Sequence, residues 1–329
     1  MTSPLPQAKI PVTILTGFLG AGKTTLLNRI LRERHGERIA VIENEFGAAG
    51  IDNELLIDSG VEQIVEVNNG CICCTVRGDL VRILGELQAR RAASPDAFSR
   101  VIIETTGLAD PAPVAQTFFI DDDIAAAYTL DAIVTVVDAR HAPGQLDQFH
   151  EAQEQVGFAD RILLSKSDLV SAEETTALFA RLRRMNPRAP MRAAHFGETP
   201  IAELLDIGGF SLDSILEIEP GFLGDDAHEH DDSVQSFAFS SLRAFDPERL
   251  QAFFRELIAA HAKDLMRYKG VVAFPGIDQR VVFQGVHMMM GSDIGRAWAA
   301  GQPRESKFVF IGRNLPRDAL VSQLERCVV

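Results

Sequence analysis

One stretch constrains this chain more than any other: Gly17-Phe18-Leu19-Gly20-Ala21-Gly22-Lys23-Thr24. It fits the phosphate-binding pattern G-x-x-x-x-G-K-[ST] at every position. Ile10–Thr16 before it is apolar and β-branched and reads as a buried strand, while Thr25–Arg34 after it reads as a helix. A glycine-rich turn that merely precedes a helix is the alternative, and the strand–loop–helix context argues against it. The glycines let the backbone wrap phosphates, whose charge meets bare N–H groups at the positive end of a helix. Gly17, Gly20, Ala21, Gly22, Lys23, Thr24 and Thr25 are therefore the expected phosphate-binding positions. Lys23 reaches the terminal phosphates in such a loop, and the Thr24 hydroxyl ligates Mg²⁺.

From Ile10 to about Ile207, strand-like and helix-like stretches alternate, the mark of an α/β fold with a largely parallel, doubly wound sheet. The expected strands are Ile10–Thr16, Arg38–Glu43, Glu62–Val67, Arg100–Glu104, Ala132–Asp138, Arg161–Leu164 and Met191–Ala194. Helical patterns stand out at Gly78–Arg91, Gln145–Gly157 and Ala172–Arg184. Between Ile207 and Ser233 the pattern breaks into Gly-Gly, Pro-Gly and the acidic run His228-Glu229-His230-Asp231-Asp232. A second unit follows, with strands Val234–Ser240, Leu265–Phe274, Arg280–Met288 and Lys307–Ile311 and helices Pro247–His261 and Pro316–Glu325. This pattern predicts a smaller α+β domain, helices on one face of an antiparallel sheet. The chain thus divides into a nucleotide domain over 1–222, a linker over 223–233 and a C-terminal domain over 234–329.

In a doubly wound sheet the ligand lies beyond the carboxyl ends of the strands, and every further motif falls there. Ser165-Lys166-Ser167-Asp168 follows one late strand. A carboxylate at Asp168 accepts from guanine N1–H and its exocyclic amine, a donor pair that adenine lacks. The Lys166 stem can cover the face of the base. Val101–Glu104 is an apolar strand ending in an acid, which supplies a carboxylate to Mg²⁺ or its waters. Gly107 then lets a backbone N–H approach the γ-phosphate. Glu43, at the end of the second strand, either holds Mg²⁺ or activates water, or it is, like Glu45, an ordinary loop acid. The loop it opens, through Asp52, is a candidate switch.

Three of the four cysteines lie in Cys71-Ile72-Cys73-Cys74, on a tight Asn-Gly turn. Soft thiolates at this density select Zn²⁺ or Cu(I) over Mg²⁺, and three ligands leave a tetrahedral ion one open position. Such a site suits release of its metal; a redox switch or buried structural cysteines are the other readings. His228 and His230 either capture metal or ride on a solvated linker. His287 reads as a core or interface histidine, Met288-Met289-Met290 as packing, and Cys327 as structural or incidental.

A formal charge of −14 over 329 residues argues against nucleic acid as the main partner, because that affinity rests on Lys and Arg contacts. The start, Met1–Pro11, lacks the apolar core of a signal peptide, and no apolar run is long enough to span a bilayer. A cytoplasmic protein without a membrane partner is the expectation.

Gly17–Thr25, Glu43–Gly47, Cys71–Cys74, Glu104–Gly107 and Ser165–Asp168 together resemble the CobW-type metallochaperone GTPases. The resemblance runs nearly the whole chain, and the second unit resembles that family's C-terminal domain. It implies a P-loop NTPase fold and slow, Mg²⁺-dependent GTP hydrolysis, with GTP and GDP as the bound nucleotides. Lys23, Glu43 and Glu104 are then the catalytic set, with Gly107, Lys166 and Asp168 joining the nucleotide contacts. It further implies transfer of a transition metal, Zn²⁺ first and Co²⁺ or iron next, from Cys71, Cys73 and Cys74 to a client metalloprotein. Metal-dependent self-association belongs to the same expectation. One departure is Ser165, where the family usually has Asn or Thr; the hydroxyl is retained. The rival readings are a redox-responsive regulatory GTPase and a small-molecule P-loop kinase, the latter disfavoured by Asp168.

Overall fold

The computed structural model describes residues 9–33, 36–43, 64–65, 76–94, 96–194, 199–210, 233–299 and 301–329. Ile10–Thr16 forms β1, whose apolar, β-branched residues suit a strand covered on both faces. Helix α1 (Lys23–Arg32) leads to β2 (Ile39–Glu43), and β3 (Ile64–Val65) precedes α2 (Val76–Ala93) and β4 (Arg100–Glu104). Two short helices, α3 (Ala112–Ile120) and α4 (Asp122–Ala127), lead into β5 (Tyr128–Asp138). Helices α5 (Ala142–Gln148) and α6 (His150–Phe158), β6 (Arg161–Ser165), α7 (Ala172–Met185) and β7 (Met191–Ala194) complete the first unit. Among the described residues its sheet has the order β3-β2-β4-β1-β5-β6-β7, and all its pairings are parallel.

Alternate residues of these strands face opposite layers. Val12, Ile14, Val101, Ile103, Ile133 and Ile162 pack under α2, α3, α6 and α7. Leu15, Val41, Ile102, Val136 and Leu163 pack against Leu26, Leu27, Ile30 and Leu31 of α1. The strand–helix alternation expected from sequence therefore holds, with three differences. β5 begins at Tyr128, four residues earlier than expected, because Tyr128 is buried and its hydroxyl donates to the Leu84 carbonyl. The expected helix Gln145–Gly157 is two helices. Phe149 leaves the helical region (φ −124°, ψ 120°) and packs its ring 4.8 Å from that of Phe18 in the phosphate loop. Helix α3 showed no amphipathic pattern in sequence because it is apolar nearly throughout, with Val114, Ala115 and Phe118 buried.

The second unit comprises β8 (Val234–Ser241), α8 (Pro247–His261), β9 (Leu265–Val272), β10 (Gln279–Val286), β11 (Met289–Ala297), β12 (Ser306–Arg313) and α9 (Arg317–Cys327). The sheet order is β11-β10-β9-β12-β8, every pair antiparallel. Its core is aromatic: Phe254 of α8 stacks on Tyr268 of β9 and meets Phe308 of β12 edge-on. Strand β11 was not expected. It is a mostly exposed edge strand carrying two glycines, so it has neither alternation nor an apolar run to reveal it. Met288, just before β11, and Met290, within it, are exposed, which corrects their reading as packing. Cys327 is buried in α9, where its thiol donates to the Gln323 carbonyl, and burial raises its pKa.

The two units share a core. Val234, Met266, Val286, Val309 and Ile311 join the same apolar cluster as α6 and β5. At its centre Arg267 of β9, almost fully buried, donates to the Phe158 carbonyl (2.7 Å), to the Asp160 carboxylate and to the Gly209 carbonyl (3.3 Å). Burial alone would raise the Asp160 pKa, but Arg267, Lys269 and the Ile133 N–H hold it below the ordinary range. Arg267→Ala leaves that carboxylate with a weaker set of partners in a dry interior. The expected loss is about 3 kcal/mol of unfolding free energy in urea titration, at the low end for a broken buried pair because Lys269 remains nearby. Among the described residues, no helix is long and apolar enough to cross a membrane.

Candidate nucleotide and metal site

The carboxyl ends of β2, β4, β1, β5 and β6 lie side by side, and each delivers a polar group to one rim. Beyond β1 the chain turns through the phosphate loop into α1. Gly22, the residue before α1, adopts φ 98°, a left-handed conformation that costs an L side chain energy. No side chain caps α1 and its first turn holds no acid, so its N–H groups and dipole are left for an anion. The Lys23 ammonium folds back onto the loop, donating to the carbonyls of Gly17 (2.9 Å) and Phe18 (3.3 Å). Burial lowers the Lys23 pKa, and nearby Glu104 opposes part of that shift.

Thr24 and Glu104, eighty positions apart, meet at the head of α1. The Thr24 hydroxyl donates to Glu104 Oε1 at 3.1 Å. Glu43 stands directly opposite Glu104 in the β2–β4 register, so two carboxylates end adjacent strands. A hydroxyl and carboxylates are hard oxygen donors of the kind Mg²⁺ takes. The neighbouring Thr106 Oγ1 is buried with no hydrogen-bond partner, a polar group left available at the same edge. The loop after β4 is pinned to β1: Thr105 donates its N–H to the Leu15 carbonyl (2.9 Å) and its hydroxyl to Thr16 (2.8 Å). Gly107 then passes so near the phosphate loop that an added Cβ would stand 2.6 Å from the Leu19 nitrogen. Only glycine fits there. These residues fit an Mg²⁺–nucleoside triphosphate.

The residues expected from sequence to recognise the base follow β6. Ser165 donates to the Ala21 carbonyl at 2.6 Å, so its hydroxyl fastens β6 to the phosphate loop. Lys166, in the left-handed region at φ 55°, donates to the Gly20 carbonyl (2.8 Å) and to Asp138 Oδ2 (2.6 Å). Asp168 is exposed.

Asp138 escaped the sequence reading. It is buried at the end of β5 and accepts from Lys166, from the N–H groups of Arg140 (2.9 Å) and His141 (3.1 Å), and from the His141 ring (3.0 Å). Burial pushes its pKa up, yet those hydrogen bonds outweigh it and hold the group below the usual carboxylate range. Its signal in sequence was an apolar strand ending in an acid, the pattern that had flagged Glu104.

Cys71, Cys73, Cys74, His228 and His230 lie outside the described residues, as does the loop from Asn44 to Asp52. Among the described residues, no group of three His, Cys, Asp or Glu can hold a metal ion. His287 packs its ring 5.2 Å from that of Phe158, across the boundary between the two units, as an interface histidine does.

A parallel sheet with a phosphate-loop sequence after its central strand β1, a Thr24–Glu104 pair at the head of α1 and Ser165–Asp168 following β6, beyond β5, are features of a P-loop GTPase. Residues 11–193 match the nucleotide-binding domain of the CobW/HypB/UreG family, and residues 234–328 match the cobalamin synthesis protein cobW C-terminal domain. The chain belongs to that family. It is 40% identical to the zinc chaperone YjiA of Escherichia coli, over 94% of this chain and 96% of that protein. It is 36% identical to the zinc chaperone CobW of Pseudomonas aeruginosa, over 96% and 91% of the two chains. The crystal structure of Zn(II)-bound YjiA GTPase superposes with a TM-score of 0.78 at 34% identity, covering 98% of this chain and all of that one.

Proposed function

We propose that this protein is a GTP-hydrolysing metallochaperone that binds zinc at Cys71, Cys73 and Cys74 and passes it to a client metalloprotein. The observation that supports the reading is the convergence of Lys23, the Thr24–Glu104 pair and Lys166 on the phosphate loop. The cysteine motif lies in sequence between two of its strands, β2 and β4.

In this reading the N–H groups of Gly20–Thr25 and the Lys23 ammonium take the phosphates, and Asp168 takes the guanine edge. Thr24 and Glu104 would hold Mg²⁺, which would supply positive charge against the phosphates. Glu43 orients the attacking water beside Glu104. No glutamine follows Gly107 closely enough in the chain to suggest a water-orienting role, so intrinsic turnover is slow, and a partner supplies the remainder. GTP orders the loop from Glu43 to Asp52 together with the cysteine loop into a metal-binding state, and hydrolysis releases the ion. Zinc is cargo here, and an incomplete ligand set lets it leave.

Zinc competition against a chromophoric chelator, with a GTP analogue, with GDP and without nucleotide, tests the coupling. Affinity that changes with nucleotide supports it; one affinity in all three conditions overturns it. The base assignment has its own test in Asp168→Asn. Loss of two hydrogen bonds to a charged acceptor lowers GTP affinity roughly 100-fold. Xanthosine triphosphate, which offers a carbonyl where guanine has its amine, gains affinity for the same variant. Fluorescence titration of both nucleotides measures the exchange.

A further inference from the structure

Helix α6 carries a buried side chain that the nucleotide reading does not use. Gln155 is 1% exposed, and its amide nitrogen donates to the carbonyls of Gly107 (3.1 Å) and Ala109 (3.0 Å). Both amide hydrogens are thereby spent on the loop after β4. The backbone of the same residue is anchored in turn, because the Thr135 hydroxyl of β5 donates to the Gln155 carbonyl at 2.7 Å. Two carbonyls side by side in a dry interior require two N–H donors, and an uncharged carboxamide supplies both from one side chain.

The rest of α6 is fastened to the C-terminal unit. Gln153 accepts from the Ser233 hydroxyl, and Glu154 pairs with Arg313 of β12 at 3.3 Å. Gly157 leaves no space beside Met266 of β9, where an added Cβ would stand 2.5 Å from the thioether methyl. The Phe158 carbonyl accepts from Arg267, and two residues on Asp160 completes the same guanidinium's partners. Asp110, at the far end of the loop, is drawn into the connection as well. Burial raises its pKa, while the Ala112 N–H and the charges of His287 and Arg313 from the C-terminal unit pull it down. A packed, hydrogen-bonded path therefore runs from Gly107 through one helix to β9 and β12.

We infer that Gln155 is a positioning residue that holds the Gly107–Ala109 segment against α6, so that contact between Gly107 and a γ-phosphate is transmitted to the C-terminal sheet. This rests on the reading of Gly107 as a γ-phosphate contact. A γ-phosphate that draws the Gly107 N–H toward it either pulls its carbonyl off Gln155 or carries α6 with it. Because α6 is clamped to β9 by Arg267 and to β12 by Glu154, the second course moves both units together. GDP, with no γ-phosphate, exerts no such pull. The two nucleotides thus differ in how they load the interface, which is what a shift between two states requires.

The test is hydrogen exchange on the full chain with GDP or a non-hydrolysable GTP analogue, together with nucleotide titration. In the wild type, amides of residues 265–272 and 306–313 exchange differently with the two nucleotides. Gln155→Glu is isosteric but cannot donate to both carbonyls. It abolishes that difference and lowers the ratio of analogue to GDP affinity about tenfold, equivalent to about 1.4 kcal/mol. GDP affinity stays within about twofold, whereas a merely structural role would weaken both nucleotides alike. Gln155→Met, which brings no charge against the carbonyls, gives the same result and serves if the Glu variant does not fold. Wild-type β9 and β12 amides indifferent to the nucleotide, although the analogue binds, overturn the proposal. So does a Gln155 variant that retains the difference. Failure of the wild type to bind the analogue overturns the γ-phosphate reading itself, and this proposal with it.

Discussion

Lys23→Ala is expected to lower GTP turnover at least roughly 100-fold, the scale seen when one preorganised donor to a developing oxyanion is removed. The ammonium is buried at the turn where the phosphates bind, and burial lowers its pKa. Its removal relieves a desolvated charge, so the thermal midpoint of the variant stays within a few degrees of the wild type. Lost turnover with retained stability is the signature. A turnover within severalfold of the wild type would remove Lys23 from the catalytic set. The same shift has a pH consequence. In the free protein Lys23 loses its proton below the pH at which an ordinary lysine does, and phosphate charge favours the protonated form. Binding therefore takes up a proton once the pH passes the free-state value. GTP affinity falls as pH rises through that value, and titration across the alkaline range detects the fall.

Cys73→Ser carries the second large effect, because a hydroxyl does not replace a thiolate toward a borderline-soft ion. Changes to residues that merely support a ligand cost about 10- to 100-fold in metal affinity, so loss of a ligand costs at least roughly 100-fold. The chelator competition measures it. Wild-type affinity also falls as pH falls, because the thiolates must be deprotonated to bind. If Cys73→Ser competes as well as the wild type, the metal lies elsewhere. A reversible disulfide without metal binding would instead favour a redox-responsive GTPase.

The residues proposed for the nucleotide site stand out in the sequence for a local reason. A phosphate loop needs glycines, a lysine and a hydroxyl within one turn, and such demands leave a contiguous imprint. In the proposed site Gly17–Thr24, Glu104–Gly107 and Ser165–Asp168 each answer to what one ligand asks of one short segment. The parallel sheet was legible too, because strands covered on both faces read as apolar runs. Helix α3, apolar nearly throughout, and edge strand β11, mostly exposed, were not, because neither sequence carries the apolar–polar contrast on which periodicity depends.

What sequence alone determined, then, are the requirements a ligand or a layer places on neighbouring residues: the glycine-rich loop, the acids at strand ends and the change from alternating to antiparallel pattern after Ser233, with the guanine role of Ser165–Asp168 a proposal built on them. Tertiary structure decided the partnerships between residues far apart in the chain. It set Asp138 under Lys166, Thr24 against Glu104, Gln155 beneath Gly107, and Arg267 between Asp160 and the Phe158 carbonyl. The reason is physical. A buried polar group must find its complement wherever the fold brings one, and nothing in the local sequence of a glutamine or an aspartate says which distant carbonyl or ammonium that will be.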